Sequence, residues 1–510
     1  MDGAVRVPDA VVIGTGFGGA VTACRLAQGG MDVTVLERGG WWGPAEGQRR
    51  FPRGLAEIAA AVRNIQVRRG PWHRNLVRDP AGLYELHMFR HLDALTASGV
   101  GGGSLIYTNM LVQPARDFFD TFPAELRDGE LDASFDRVRS MLRPSPAPHP
   151  SAKQAAFTKA AAEAGRGGDL FTPDLAIAFG SEPRAAETVT NAAGVTQRTC
   201  TYCGDCVLGC NETAKTTLDL TYVPAAVTAG AQVRTMCEAT GIARLGNVWQ
   251  VRYRDHAAGR DRSITARRVV VAAGTLGTLR LLLASRDRWR TLNGLSSRLG
   301  RSFSGNADQG SLLLGTRDEW DGDDGPSVTT VVTSAGDPAA PGRRGRHQHL
   351  VGEASLPIRG LQLGEAVTDR LRNATVLLCM GVATQGATVR LDPHDRDGLD
   401  VDQANSMDAS TFEAIDADVA ALAQAAGATR VVRRLRFSGG PEAQFTVHPL
   451  GGCGIGSTRL DGVCDHAGRV FGAPGLYVAD GSLYPRSVGL PPSMTIAALS
   501  ERIAQLVLEE

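Results

Sequence analysis

Short, continuous apolar runs broken by glycine turns open this chain, and runs of that kind predict buried strands rather than a sheet with one wet face. Residues 9–13 form the first run. The turn Gly14-Thr15-Gly16-Phe17-Gly18-Gly19 follows, residues 20–28 carry a helical pattern, and residues 31–36 form a second run that ends in Glu37. Strand, turn, helix and strand in that order make a βαβ unit. Glu37 stands twenty-three positions after Gly14, close to the spacing at which a carboxylate accepts hydrogen bonds from the ribose of an adenine dinucleotide. The order of the parts, more than the glycines, points to dinucleotide binding; the plainer reading is a glycine-rich turn.

Residues 40–90 are rich in arginine and aromatic residues, including Trp41, Trp42 and Trp72, and show no strong period beyond a short helix near 55–63. This predicts a long excursion over a bound cofactor, its arginines forming either a solvated face or a contact for substrate or partner. Gly99-Val100-Gly101-Gly102-Gly103-Ser104 comes next. Four glycines in five positions suit backbone that passes a planar ring or a pyrophosphate without intervening side chains, and Leu105-Ile106-Tyr107 argue against a flexible linker. A helical pattern runs from Cys210 to about 229. Strand-like segments around Val233, Ile242 and 248–253 then predict a small meander.

Residues 268–274 read as another buried strand of the first sheet, followed by a helix over 276–284. Between 310 and 437, alternating segments such as 374–380 and 387–391 precede an amphipathic helix over 411–425. The fold class is therefore α/β, a Rossmann-like nucleotide-binding domain with a discontinuous sheet-and-helix substrate domain of α+β character. The nucleotide-binding domain takes residues 1–115, 200–309 and 440–510, with a cysteine-rich insertion at 198–215. The substrate domain takes 116–199 and 310–439.

A chain of 510 residues is too long for one ordinary core, in keeping with two domains. Lysine plus arginine equals aspartate plus glutamate at 54 each, which removes the electrostatic case for nucleic acid or an acidic membrane surface. No apolar run approaches a membrane span, and the first strand begins too early for a secretory leader. Nine cysteines, four of them between Cys200 and Cys210, make a poor disulfide framework and predict a reducing, cytoplasmic setting.

Near the end, His448-Pro449-Leu450-Gly451-Gly452-Cys453 sets a histidine on a turn of small residues, and Tyr477-Val478-Ala479-Asp480-Gly481-Ser482 runs a strand into a glycine turn before the last helix. Such a histidine either accepts a proton beside a redox cofactor or is a hydrogen-bonded structural residue.

These blocks, with the Val269-Val270-Val271-Ala272-Ala273-Gly274 segment and in this order, resemble the glucose-methanol-choline (GMC) oxidoreductases, the nearest branch being the cholesterol oxidases. The resemblance implies FAD. It would set Gly14, Gly16, Phe17, Gly18, Gly19 and Glu37 at the ADP half, Gly101, Gly102, Gly103 and Ser104 near the flavin ring, and Asp480 and Gly481 near the ribityl chain and flavin. His448 would act as acid/base on a small-molecule alcohol, alicyclic or sterol-like, while hydride passes to flavin N5. Oxygen, or a protein or quinone acceptor, would take the electrons. The segment Gly352-Glu353-Ala354-Ser355-Leu356-Pro357 is similar to one bearing a catalytic glutamate in cholesterol oxidases but is one residue shorter, so Glu353 is either that base or an edge-strand glutamate. The family's second catalytic Asn or His falls on Pro491, which offers no donor. Asn306 is either its replacement or a plain turn residue.

Cys200, Cys203, Cys206 and Cys210, followed by Asn211, have the spacing of a bacterial ferredoxin loop. The expectation is an iron–sulfur cluster, 3Fe-4S or 4Fe-4S, held by three of the four with one remote thiolate, for which Cys237 and Cys464 are candidates, or by all four in a different loop shape, or with one iron lost; zinc and metal-free structural thiols are the alternatives. The stretch from Cys203 to Ala214-Lys215-Thr216-Thr217-Leu218 is similar to relatives in the cholesterol oxidase branch. Two further readings stand beside alcohol oxidation: a flavoprotein that shifts a proton or double bond without net oxidation, and a non-catalytic electron carrier.

Overall fold

The computed structural model describes residues 7–43, 49–69, 72–77, 79–334, 349–382, 386–395, 398–402, 409–436 and 444–510. The expected domain boundary at 439/440 and the side chain of Trp72 lie outside the described residues.

The apolar runs form a five-stranded parallel sheet in the spatial order Gln232–Arg234, Val33–Leu36, Ala10–Ile13, Arg268–Val271, Leu476–Val478. Its three central strands and the last are buried almost throughout, as expected of strands covered on both faces. Helix Phe17–Gln28 packs against the C-terminal helix Ser493–Leu508 and against Tyr222–Thr228. Val233 joins this sheet's edge beside Val35, outside the meander expected for it. The meander instead comprises Cys237–Leu245, Val248–Asp255 and Arg260–Ala266.

A second sheet carries six strands in the order Arg430–Val432, Gln309–Leu314, Ala374–Gly381, His349–Ala354, Val331–Thr333, Leu170–Phe171. Every pairing in it is antiparallel. Its two faces differ because side chains alternate along each strand. Leu313, Val351, Leu377 and Cys379 pack under helices Ala152–Glu163 and Ala409–Ala425. Leu350, Ala354, Val376, Leu378 and Met380 face the other way, toward Leu490. The hairpin of Thr388–Leu391 and Leu399–Asp402 buries Val389 and Leu399 in the same core as the parallel sheet.

The arginine-rich excursion builds a third sheet, ordered Gln444–Thr446, Leu92–Ala97, Tyr84–Met88, Val62–Arg69, Trp72–Val77. Two of its arginines are not solvated. Arg63 is buried between Glu85 and Glu238, and Arg49 is buried against Asp219. No described helix is long and apolar enough to cross a membrane.

The domain closes through backbone contact. A Cβ on Gly18 would lie 1.5 Å from the carbonyl oxygen of Ala479, so the first turn and the last strand touch with no side chain between them. Gly18→Ala is expected to lower stability by about 3 kcal/mol or more in urea denaturation. Gly168→Ala, where a Cβ meets nothing within 4 Å, is the control and should stay within about 0.5 kcal/mol.

Candidate functional site

Three glycine-bearing segments converge above the parallel sheet. A Cβ on Gly14 would lie 2.3 Å from Ala272 O, and one on Gly102 would lie 2.8 Å from the Cα of Gly16. Gly14 and Gly102 also have φ of +100° and +53°, a region that favours glycine. By contrast, Gly16 and Gly103 face open space. No side chain caps the helix that starts at Phe17, leaving its first amides to a ligand. Open glycines at an uncapped helix N-terminus fit the pyrophosphate of a dinucleotide.

Glu37 closes the far side of this cradle: Thr15 N and Oγ1 donate to Oε2 at 3.0 and 2.6 Å, and Gly39 N donates to Oε1 at 2.8 Å. Thr15 Oγ1 in turn accepts from Gly101 N at 3.1 Å, tying the two glycine blocks together. Asp480 accepts from Ser482 N and Oγ and from Thr278 Oγ1. Burial pushes its carboxyl above the usual range, with those hydrogen bonds opposing the shift. A Cβ on Gly481 would meet Leu450 at 3.1 Å, which puts the histidine turn directly beside this segment.

His448 is partly buried. Its Nδ1 lies 3.0 and 2.9 Å from the two carboxylate oxygens of Asp308. Because a carboxylate only accepts, Nδ1 carries a proton toward Asp308, and Nε2 has no partner among the described residues. Asp308 is held by Thr446 Oγ1, Val447 N and His448 N at 2.9, 2.9 and 3.1 Å. Thr446 belongs to the strand beside Leu92–Ala97, which leads into the second glycine block. The imidazole is thereby fixed between that block and the Asp480 turn. Asp308 was not singled out in the sequence; in the structure it follows Asn306 and Ala307, both left-handed at φ +57° and +47°.

Asn306 is fully buried and spent on the turn before the last helix. Its Oδ1 accepts from Val488 N and Gly489 N at 3.0 and 2.8 Å, and its Nδ2 donates to Leu490 O at 3.1 Å. Glu353 lies elsewhere. It is fully buried, accepts from Lys153 Nζ at 2.7 Å, and takes further hydrogen bonds from Thr329 N and Thr330 N at 2.6 and 3.1 Å. In register it pairs with Leu377, so it points to the helix-covered face, opposite Leu350 and Met380.

The protein-family model described as GMC oxidoreductase matches residues 184–286 and 385–500, and a NAD(P)-binding Rossmann-like model matches residues 12–63. A cholesterol oxidase of Mycobacterium tuberculosis is 30% identical, over 98% of this chain and 90% of its own length. The chain belongs to the GMC oxidoreductase family. A cholesterol oxidase of Acinetobacter baumannii is 27% identical over 97% of this chain and 93% of its own. The crystal structure of pyridoxine 4-oxidase from Mesorbium loti shares the fold, with a TM-score of 0.62 at 17% identity, covering 98% of this chain and 99% of that one. Membership makes this GMC protein an oxidoreductase of CH–OH donors, with a small organic substrate and a redox partner.

The expected metal centre is not formed in this member. Among the described residues no group of three or more His, Cys, Asp or Glu is placed to hold a metal ion. Cys200, Cys203, Cys206 and Cys210 line a cavity of about 10 Å³, room for about one water molecule and not for an iron–sulfur unit. In the metal-free loop, burial pushes Cys203 up to about 12 and raises Cys200 and Cys206, so these side chains rest as thiols. The iron–sulfur and zinc expectations, with Cys237 and Cys464 as remote ligands, fall together. The loop is instead pinned by side chains: Arg53 to Asp205 at 3.1 Å and to Gly209 O at 2.9 Å, and Asn211 to Phe51 N at 2.7 Å.

The Lys153–Glu353 pair has no exposure on either side, and removing one partner strands the other charge. Lys153→Met is expected to lower stability by about 3–5 kcal/mol, measured by urea denaturation.

Proposed function

We propose that the protein is an FAD-dependent oxidoreductase that oxidises a hydroxyl carried on an apolar, alicyclic or sterol-like body, with His448 as acid/base. In this reading residues 1–115, 200–309 and 440–510 bind FAD, and 116–199 with 310–439, apart from the hairpin of Thr388–Leu391 and Leu399–Asp402 that packs in the core of the parallel sheet, receive the substrate. The observation that carries it is the His448–Asp308 pair, fixed between the second glycine block and the Asp480 turn. Gly14, Gly16, Phe17, Gly18, Gly19 and Glu37 would hold the ADP half, Gly101 to Ser104 the ring, and Asp480 and Gly481 the ribityl end. When bound, the flavin accepts the hydride from the carbinol carbon.

The protein's own part is the proton. Asp308 keeps the proton of His448 on Nδ1, so Nε2 is ready to take one from a hydroxyl. Asp308 is a positioning residue in this scheme. Asn306 has its amide engaged by the 488–490 turn, which supports a positioning role there too, and leaves Nε2 as the group for the substrate hydroxyl. Glu353 has a structural role on the far face of its sheet.

The apolar class of substrate is supported by the sheet face toward Leu490. Leu312, Val376 and Leu378 stay half-buried there although two of them lie on a central strand, as apolar side chains do when they line a hollow. Cholesterol oxidases among the relatives point the same way.

Anaerobic mixing with hydroxylated alicyclic compounds should bleach the oxidised flavin; a proton or double-bond shift alone would leave its spectrum unchanged and reject oxidation. His448→Ala is expected to cut kcat by about 10²–10⁴-fold with flavin still bound. Asp308→Asn should lower kcat with little change in KM.

A further inference from the structure

Lys215 is buried at 1% exposure beside the second glycine block. Its Nζ donates to Leu105 O at 3.2 Å, Tyr107 O at 2.8 Å and Cys206 O at 2.8 Å. Three acceptors use all three hydrogens of an ammonium; a neutral amine has only two to give. The three acceptors match an ammonium; burial lowers its pKa to about 8, which still leaves it mostly charged at neutral pH. It also lies 4.9 Å from the centre of the Tyr107 ring.

The charge has no counter-ion of its own. The nearby carboxylates are each matched to an arginine, Asp219 to Arg49 and Asp205 to Arg53. Among the described residues no carboxylate forms an ion pair with Lys215. An isolated buried cation is costly, and carbonyl dipoles offset only part of that cost. The ammonium stands at the end of the Gly102–Leu105 turn, where Gly103 faces open space and Gly102 abuts Gly16, while a Cβ on Gly101 would lie 3.3 Å from Asp219 Oδ1. One unmatched positive charge thus sits behind the backbone that would face the ring.

We propose that Lys215 stabilises the reduced cofactor electrostatically, and so raises the reduction potential of bound FAD. The inference rests on the FAD reading above. Taking a hydride adds two electrons and one proton, so the charge of the cofactor falls by one; a fixed cation behind the glycine turn favours that product over the oxidised form. Lys215 touches neither substrate nor reacting atoms in this scheme and acts through the field and the turn it holds.

The test is a dye-coupled redox titration of the holoenzyme, with FAD affinity measured separately. Wild-type protein should hold FAD at a higher midpoint potential than free FAD. Lys215→Gln should lower the midpoint by about 30 mV, a tenfold loss of preference for reduced over oxidised cofactor, and Lys215→Arg should restore most of it. A Gln variant that binds FAD at an unchanged potential overturns the proposal, whatever its stability. If neither variant folds, a wild-type potential at or below that of free FAD overturns it. Failure of the wild-type protein to bind FAD at all would instead reject the reading on which this rests.

Discussion

Everything in the nucleotide-binding half depends on backbone meeting backbone. Gly18 against Ala479, Gly14 against Ala272 and Gly102 against Gly16 bring four stretches of chain, separated by up to about 460 residues, within reach of one ligand-sized space. A single methyl at Gly18 would overlap a carbonyl oxygen, so the closure has no tolerance for a side chain. The same lack of side chains leaves amides and open space at Gly16 and Gly103, where a phosphate can approach. Packing and ligand recognition are met here by one requirement, which is why the glycine pattern marks both.

That double role made this half legible. Continuous apolar runs placed the central strands to within three residues at either end, and Glu37 follows its strand as the spacing indicated. Long-range pairing was less readable. Val233 looked like part of a meander because short β-branched segments carry no mark of their partner, and only the position of Val35 draws it to the parallel sheet. The excursion from 40 to 90 hid a sheet because its strands are laced with arginines. Some of those arginines are buried by carboxylates from remote segments, as Arg63 is by Glu238. A charged residue paired across 175 positions is indistinguishable, in sequence, from a solvated one.

The site divides along the same line. His448 stood out because small residues surround it, whereas Asp308, its partner, carries no pattern and is defined by a contact across 140 positions. Glu353 shows the opposite case: its neighbourhood matched a family segment, but strand parity gave it to the helices and to Lys153. The cysteine spacing was specific as a string. Spacing fixes separation along the chain, while ligation needs converging side chains and space for the metal, and among the described residues no such group forms around this cavity of about 10 Å³.

Proline at 491 is explained by where the turn finds its support. A donor at that position would normally help to order the loop, but Val488 N, Gly489 N and Leu490 O are all satisfied by the one buried amide of Asn306. Pro491 and Pro492 then cost no hydrogen bond, since they precede the first turn of the Ser493–Leu508 helix, whose leading N–H groups have no intrahelical acceptor. Two prolines also stiffen a segment that carries Leu490 onto the apolar sheet face. Order that a catalytic pair would draw from its own hydrogen bonds is supplied from outside the turn. The imidazole of His448 draws its own orientation from a different source, the carboxylate of Asp308, so the two sides of this region are ordered independently.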